Sequence, residues 1–343
     1  MESAIPAHLI TERSRPRRVP DDYAPPYPSF VARSRPQVQQ VVMAYLGLQF
    51  RGDEPTGALD VLDTAFADSD GPGHHDRARQ VAPDGTTDIV SIAYWDDPAA
   101  FERWFVTHRE SWLGDAVRDG LGRWAEVLRP TVEEHETLSS SLGRPEGVAV
   151  LADGWSGEVQ EHGYWGGMRD RIPLSQTDAL APVGSPVVER DGGRVRIRPH
   201  GGICLIRSGQ DWGDTEGTER LMYLQDVEPV LRAGMEFLRD DGRTIGCFSN
   251  RYLTVVENGE PVDRSFGMSW WRSLDVLERW AESHPTHVAI FGAAMRYLST
   301  LGPAARLRLY HEVSVVRADE ASFEYVDCRE GTGLLGAFAE DPL

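Results

Sequence analysis

The stretch IAYWDDPAAFERWFVTHRESW (92–112) aligns without gaps with MSWWRSLDVLERWAESHPTHV (268–288). In both copies a tryptophan ends an apolar stretch, and a Glu-Arg-Trp motif follows inside a helical pattern. An internal repeat of this kind indicates that one structural unit occurs twice. A strand that leads into a helix in each copy predicts an α+β fold of two tandem ferredoxin-like units, with antiparallel sheets packed face to face and helices outside.

The repeat divides the chain into four parts. Residues 1–36 are rich in proline and arginine, which predicts an extended arm on the surface. Residues 37–150 form the first predicted unit, and residues 194–343 form the second. Residues 151–193, interrupted by Gly and Pro, predict an irregular connection between the two units.

Composition narrows the classes of partner. The 343 residues include 54 acidic and 35 basic side chains, and the formal net charge is −19, which argues against nucleic acid and anionic membranes. No secretory signal and no long apolar run is present, and the three cysteines are scattered, so we expect a reduced cytoplasmic protein. The P-loop, GxGxxG, CxxC and GxSxG motifs are absent from the sequence, which removes the commonest nucleotide, dithiol and serine-hydrolase interpretations.

Two histidines of the second copy, His284 and His287, differ in the repeat. His284 is matched by His108, which favours a structural role such as a hydrogen bond at a helix start. His287 is matched by Ser111, so this histidine is specific to one copy. A zinc site would require three or four ligands, whereas haem iron can be held by one axial histidine. His287 is therefore a candidate haem ligand, although a buried histidine often only satisfies a backbone carbonyl.

His311 is a second histidine in an unusual position. Strand alternation in RLRLYHEVSVV (306–316) places it on one face with Leu307, Leu309, Val313 and Val315. The pattern fits either a core histidine whose hydrogen bonds are satisfied or a general acid/base that faces an enclosed pocket.

Three further polar residues could line the same pocket. Ser208 ends the strand-like GGICLIRSG and is followed by glycine, which is a weak signal for a hydroxyl at a cavity. Arg169 and Arg171 flank Asp170, and spacing alone does not decide which arginine points at a ligand.

Five motifs together resemble the haem-containing aldoxime dehydratases over nearly the full chain. They are RRVPDDYAPPYPSF (17–30), YWGGMRDRIPLSQTD (164–178), IRSGQDW (206–212), SHPTHVAIFG (283–292) and LRLYHEVSV (307–315). The resemblance implies a dimeric α+β barrel related to dye-decolourising peroxidases and chlorite dismutases. It also implies haem b, ferrous in the active form, and conversion of R–CH=N–OH to R–C≡N and water, with the oxime nitrogen bound to the iron.

The resemblance also implies roles for individual residues. His287 would be the axial ligand, with His284 as the alternative, and His311 would be the catalytic acid/base. Ser208 would hydrogen-bond the oxime oxygen. Arg169 would complete the distal polar group, with Arg171 as the other choice, and Glu134 matches a family glutamate only loosely.

The implied partners are a small aldoxime, aliphatic or aryl, and a second copy of the chain. A haem peroxidase of the same fold group is the rival enzyme, because Asp170 and Arg171 could serve as its distal acid and arginine. A haem carrier or sensor is the non-catalytic rival, and it would not require an ionisable residue at position 311.

Overall fold

The computed structural model describes residues 1–114 and 120–338. The helices are α1 (Thr56–Phe66), α2 (Pro98–Leu113), α3 (Gly167–Arg171), α4 (Gly217–Met222), α5 (Glu228–Asp240), α6 (Leu274–Ser283) and α7 (Pro285–Leu301). The strands are β1 (Ala32–Arg33), β2 (Val42–Phe50), β3 (His74–Val81), β4 (Thr87–Trp95), β5 (Gly122–Leu128), β6 (His135–Ser139), β7 (Gly154–Trp155), β8 (Val187–Asp191), β9 (Arg194–Arg198), β10 (Ile203–Asp211), β11 (Cys247–Glu257), β12 (Glu260–Trp271), β13 (Arg308–Val316) and β14 (Ala321–Val326).

Both copies of the repeat have the ferredoxin-like strand order. The first unit runs β2-α1-β3-β4-α2-β5, and its strands lie in the order β5-β2-β4-β3. The second uses β10 to β13 in the equivalent order β13-β10-β12-β11, and all these pairs are antiparallel. The α+β prediction is confirmed.

The repeated tryptophans make the same contact in each unit. The ring centroids of Trp95 and Trp104 are 5.2 Å apart, and those of Trp271 and Trp280 are 5.4 Å apart. In each copy, the tryptophan that ends a strand therefore packs on the tryptophan of the following helix. The repeated pattern thus has a structural cause, because it fixes how the helix lies on its sheet.

The two units form one sheet rather than two separate ones. β3 pairs with β11, which joins them into a single 12-stranded sheet. The outer strands are exchanged, since β6 pairs with β13 of the second unit and β14 pairs with β5 of the first. The two predicted units, residues 37–150 and 194–343, are therefore joined by strand pairing.

The sheet folds back on itself, so that its two halves share a core. Arg251 on β11 donates two hydrogen bonds to Glu126 on β5, although three strands lie between them in the sheet order. Tyr94, Phe266 and residues of both units form one buried apolar cluster there. This face is distinct from the helix-covered faces, where α1 and α2 cover the first unit and α5, α6 and α7 cover the second.

The arm, residues 1–36, lies against the connecting segment. β1 pairs with β7, and further backbone hydrogen bonds tie the arm to Glu158 and Gln176. Across residues 1–114 and 120–338, no helix combines the length and apolar character needed to cross a membrane.

Candidate active site

A cavity of about 480 Å³ lies between the sheet of the second unit and its helices. Its volume falls within the roughly 300–1,000 Å³ that is typical of small-molecule sites. Most of its wall is apolar and comes from α5, α6 and α7, including Leu231, Met235, Trp280, Ile290, Phe291, Ala294 and Leu298. Four polar residues reach it that bear on chemistry: Ser208, His311, Arg171 and His287.

His284 has the structural role that the repeat predicted. It is the N-cap of α7, and its Nδ1 accepts a hydrogen bond from the Thr286 backbone N–H at 3.4 Å. Its backbone is extended because Pro285 follows, since a residue that precedes proline is disfavoured in the helical region. His284 ends one helix and starts the next, and it does not line the cavity.

His287, one turn into α7, has one nitrogen held and the other available. Its Nδ1 lies 2.7 Å from the carbonyl oxygen of Ala281. A carbonyl only accepts, so Nδ1 carries the proton and Nε2 keeps its lone pair. Burial lowers the pKa of His287 to about 4, so the ring is neutral near pH 7. The rings of Trp165 and Trp280 pack against it, at centroid distances of 5.6 and 4.6 Å.

This arrangement fits an axial haem ligand. Metal-bound histidines commonly donate their other ring N–H to a carbonyl, which fixes the tautomer and the ring orientation. Within residues 1–114 and 120–338, no group of three or more His, Cys, Asp or Glu could hold a metal ion. A single neutral imidazole beside a large apolar cavity matches the needs of haem iron better than those of zinc.

Ser208 and His311 are direct neighbours on the sheet side of the cavity. β10 and β13 pair in a register that places Ser208 opposite His311. The predicted alternation is confirmed, since Val313 and Val315 belong to the apolar cluster on the same helix-covered face. The opposite face is also buried, because Glu312 is 3% exposed and contacts Tyr94 of the first unit.

Arg171 connects His311 to a buried carboxylate. Its Nη2 lies 2.8 Å from His311 Nε2, and its guanidinium donates to both oxygens of Glu136, at 2.7 and 2.9 Å. A guanidinium only donates, so His311 Nε2 accepts and the neutral ring carries its proton on Nδ1. Burial and the neighbouring charge of Arg171 hold the pKa of His311 well below its usual range.

Comparison with known proteins identifies the family of this chain. A family model described as haem-containing dehydratase matches residues 44–334. The chain belongs to the haem-containing dehydratase family. The resemblance noted in the sequence and the haem cofactor that it implied are thereby confirmed.

Individual members of the family are similar over almost their whole length. An aliphatic aldoxime dehydratase of Pseudomonas chlororaphis is 46% identical, with 98% of each chain covered. A phenylacetaldoxime dehydratase of Bacillus sp. (strain OxB-1) is 34% identical over 94% of this chain and 95% of that protein. The crystal structure of an aldoxime dehydratase in complex with butyraldoxime superimposes with a TM-score of 0.93 at 43% identity, covering 98% of this chain and 96% of that one.

The structure places Arg171, not Arg169, beside His311. Arg169 donates to both carboxylate oxygens of Glu278, at 3.1 Å from Nε and 2.7 Å from Nη2, and to the carbonyl of Ala179. It does not line the cavity. The choice of Arg169 from the sequence is therefore replaced by its stated alternative.

The carboxylate that holds Arg171 is Glu136, and Glu134 lies elsewhere. Glu134 accepts hydrogen bonds from the backbone N–H and the hydroxyl of Thr131, both at 2.9 Å, and pairs with Arg317 at 3.3 Å. Sequence reasoning missed Glu136 because it considered only Glu134 in this region and predicted no strand there. The alternation of Glu136 with Leu138 on one face of that strand is the signal that could have found it.

Asp170 does not face the cavity. Its carboxylate accepts hydrogen bonds from the backbone of Arg18 and Val19 in the arm. The pair of Asp170 and Arg171 therefore offers no distal acid, which removes the feature that suggested a peroxidase.

Proposed function

We propose that this chain dehydrates aldoximes, converting R–CH=N–OH to R–C≡N and water, with haem b held by His287. The observation that carries the proposal is the hydrogen-bonded group of His311, Arg171 and Glu136 on the sheet side of a cavity whose helix side carries His287. The activities named for the family members described above support the same reaction.

His287 would hold the iron through Nε2, because Nδ1 is occupied by the Ala281 carbonyl. Bound haem supplies a Lewis-acidic, redox-active iron that side chains do not offer. Trp165 and Trp280 restrict the orientation of the imidazole ring.

His311 moves the protons. Hydroxide is a poor leaving group, so the imidazolium form of His311 donates a proton to the oxime oxygen and the N–O bond breaks with release of water. The neutral imidazole then accepts the proton of the C–H bond, which restores the imidazolium. The proton count closes, because the water leaves with one proton from His311 and the substrate carbon returns one.

Ser208 and Arg171 prepare this transfer. Ser208, directly opposite His311 in the sheet, hydrogen-bonds the oxime oxygen and orients it. Arg171, fixed by Glu136, orients the neutral imidazole through Nε2. Its charge lowers the pKa of His311, so the imidazolium, in which Nε2 carries a proton and this hydrogen bond is absent, is a stronger acid. The apolar walls exclude competing water and bind the R group.

The test uses the purified, haem-loaded protein under anaerobic, dithionite-reduced conditions. With an aldoxime such as butyraldoxime we expect nitrile to form, measured by gas chromatography. The rival is tested aerobically with peroxide and a dye. Peroxide-dependent dye oxidation without nitrile formation would reject the dehydratase assignment, and a preparation without a Soret band would reject haem binding.

We also propose that the protein is a cytoplasmic homodimer with the dimeric α+β barrel architecture that the resemblance implies. The duplicated strand order and the exchanged outer strands support the architecture. Cys204, Cys247 and Cys328 are free thiols, as a reducing compartment favours. Light scattering after size exclusion tests the dimer, since a mass near 38.2 kDa would indicate a monomer.

A further inference from the structure

One short segment, residues 163–171, contacts both sides of the cavity. Trp165 packs against His287 at a ring distance of 5.6 Å, and its ring also contacts Phe291 at 5.0 Å. At the other end, Arg171 contacts His311 at 2.8 Å. The position of this segment therefore sets the surroundings of both histidines.

We propose that Asp170 is a positioning residue, which locks residues 163–171 against the N-terminal arm and thereby sets Arg171 for proton transfer. This inference rests on the proposed function and adds to it a role for the arm, because the arm touches the reacting groups through this segment.

Asp170 is 1% exposed, and its carboxylate accepts hydrogen bonds from the arm and from its own segment. Its Oδ2 accepts from the Arg18 N–H at 2.9 Å, the Val19 N–H at 3.0 Å and the Tyr164 hydroxyl at 2.9 Å. Its Oδ1 lies 3.1 Å from the Arg18 N–H. Hydrogen bonds to a buried carboxylate are stronger than neutral ones, and their loss leaves buried donors unsatisfied.

The arm also closes over the segment at Gly166. A Cβ at Gly166 would lie 2.8 Å from three side-chain carbons of Arg18, and the φ angle of Gly166 is +103°. Nearby, Tyr23 packs edge-on against Tyr164 at 5.0 Å and donates a hydrogen bond to the His162 carbonyl at 2.9 Å. The fit between arm and segment is thus close enough that glycine is required.

Arg171 follows Asp170 directly, so displacement of Asp170 moves the guanidinium away from His311. A misplacement of about 1 Å can reduce turnover by about 10²-fold. The charged and titratable side chains that face His311 are Arg171 on α3 and Glu136 on β6. The other walls of the cavity contribute Tyr27, Tyr164, Tyr223, Glu278, His287, Tyr297 and Tyr310. If Arg171 withdraws, His311 loses its nearest positive charge, and its protonation shifts to higher pH.

The test compares full-length, haem-loaded wild type with Asp170→Ala, Asp170→Asn and the control Asp178→Asn. Asp178 is exposed and accepts only a local N–H, that of Leu180 at 2.6 Å. For Asp170→Ala we expect kcat to fall about 10- to 100-fold, with KM nearly unchanged and the alkaline limb of the pH profile moved to higher pH. Asp170→Asn keeps one oxygen acceptor and should recover part of the loss, and Asp178→Asn should match wild type.

Two readouts do not depend on aldoxime turnover. Hydrogen exchange of residues 163–171 should accelerate in Asp170→Ala, and the Soret band should shift because Trp165 moves relative to His287. If wild type does not dehydrate aldoximes but these two changes appear, the proposed function fails and the positioning role stands.

Unchanged kcat, pH profile and exchange in folded Asp170→Ala would overturn the positioning role. If Asp170→Ala does not fold, Asp170→Asn and Tyr164→Phe replace it, and each should show a smaller change in the same direction. Wild-type kinetics and exchange in both would equally overturn the proposal.

Discussion

The two copies of the repeat have the same backbone fold but different residues at equivalent positions. Tyr94 and Trp270 are matched in the repeat, and each donates a hydrogen bond to a buried glutamate of the other unit, Glu312 and Glu126 respectively. The residues that precede these glutamates are thus equivalent, and they are His311 in the second copy and Ala125 in the first.

The cross-strand partners of these two residues extend the contrast. His311 pairs with Ser208, whereas Ala125 pairs with Leu46. The first copy is therefore apolar where the second is polar. A hydroxyl or an imidazole packed against tightly filled apolar side chains would lack a partner, which costs roughly 1–3 kcal/mol by mutational data.

The helices explain why the described residues of the second copy enclose a cavity of about 480 Å³, whereas those at the equivalent place in the first copy enclose only about 10 Å³. α2 of the first copy continues through residue 113, and Phe66, Trp104 and Trp112 fill the space on its sheet. In the second copy the backbone of His284 is extended, and Pro285 starts α7 as a separate helix. The equivalent residue of the first copy is Arg109, which a helix accommodates. Pro285 thus occurs in the copy whose helix-covered sheet face borders the large cavity, whereas the copy with arginine at this position has a filled face.

The largest effect is expected from removing His287, the histidine of α7 that has no counterpart in the first copy. For His287→Ala we expect loss of bound haem or of the normal Soret spectrum, because no other histidine among the described residues of α7 lines the cavity. Haem content after desalting is the measurement. Ser111→Ala, at the matched position of the first copy, is the control and should bind haem as wild type does.

The next largest effect is expected at the sheet. His311→Ala gives the second copy the residue of the first, and we expect kcat to fall roughly 10²- to 10⁴-fold, the usual contribution of a general acid/base. Haem should stay bound, as judged by an unchanged Soret intensity. Near-normal nitrile formation by this variant would exclude His311 as the proton donor.

A smaller loss of kcat is expected when lysine replaces Arg171, because the ammonium group lacks the planar shape of the guanidinium. Arg171→Lys cannot contact both oxygens of Glu136 and His311 at once, so we expect kcat to fall about 10-fold or more. Arg169→Lys is the matched change two residues away and should keep kcat within about threefold, since Arg169 lies outside the cavity. Equal losses in both would show that the arginine at the site is wrongly assigned.

The next prediction concerns pH, and we expect kcat/KM to change several-fold with the protonation of His311. The pKa of His311 is lowered, so the imidazolium is the minor form at pH 7 and its fraction rises as pH falls. We therefore expect kcat/KM to increase from pH 8 to pH 6 while the haem spectrum is unchanged. A decrease over that range would mean that the neutral ring acts first.

The smallest effect on activity is expected in the first copy. Leu46→Ser introduces the residue of the second copy at a position that is 2% exposed. We expect unfolding free energy to fall by about 3 kcal/mol, as for other large-to-small core changes, with kcat unchanged. Denaturant unfolding measures the first quantity. A large loss of kcat at full haem occupancy would show that the two copies are coupled.

Parts of the site followed from local patterns in the sequence. Strand alternation correctly placed His311 on an apolar face, and the repeat correctly assigned His284 to a helix start. These features depend on residues within one element, where side-chain direction follows from the period of the strand or helix.

Other parts depended on segments far apart in the chain. The choice between Arg169 and Arg171 was set by the arm, which holds Asp170, and by Glu136 on β6. On a helix of only five residues, spacing does not specify which side chain points inward. The exchange of β6 and β14 between the units could not be predicted from the sequence either, because strand pairing across distant segments leaves no local signal.

By itself, the sequence determined the duplicated α+β unit and the family, and it singled out His287 and His311 as candidates, because repeats, motifs and periodicity are properties of neighbouring residues. Only the tertiary structure decided which arginine and which glutamate stand beside His311 and which copy keeps an open cavity. Those outcomes arise where the arm, the connecting segment and the exchanged strand meet, and the contacts between them are chosen by packing and by the need of each buried charge for a partner.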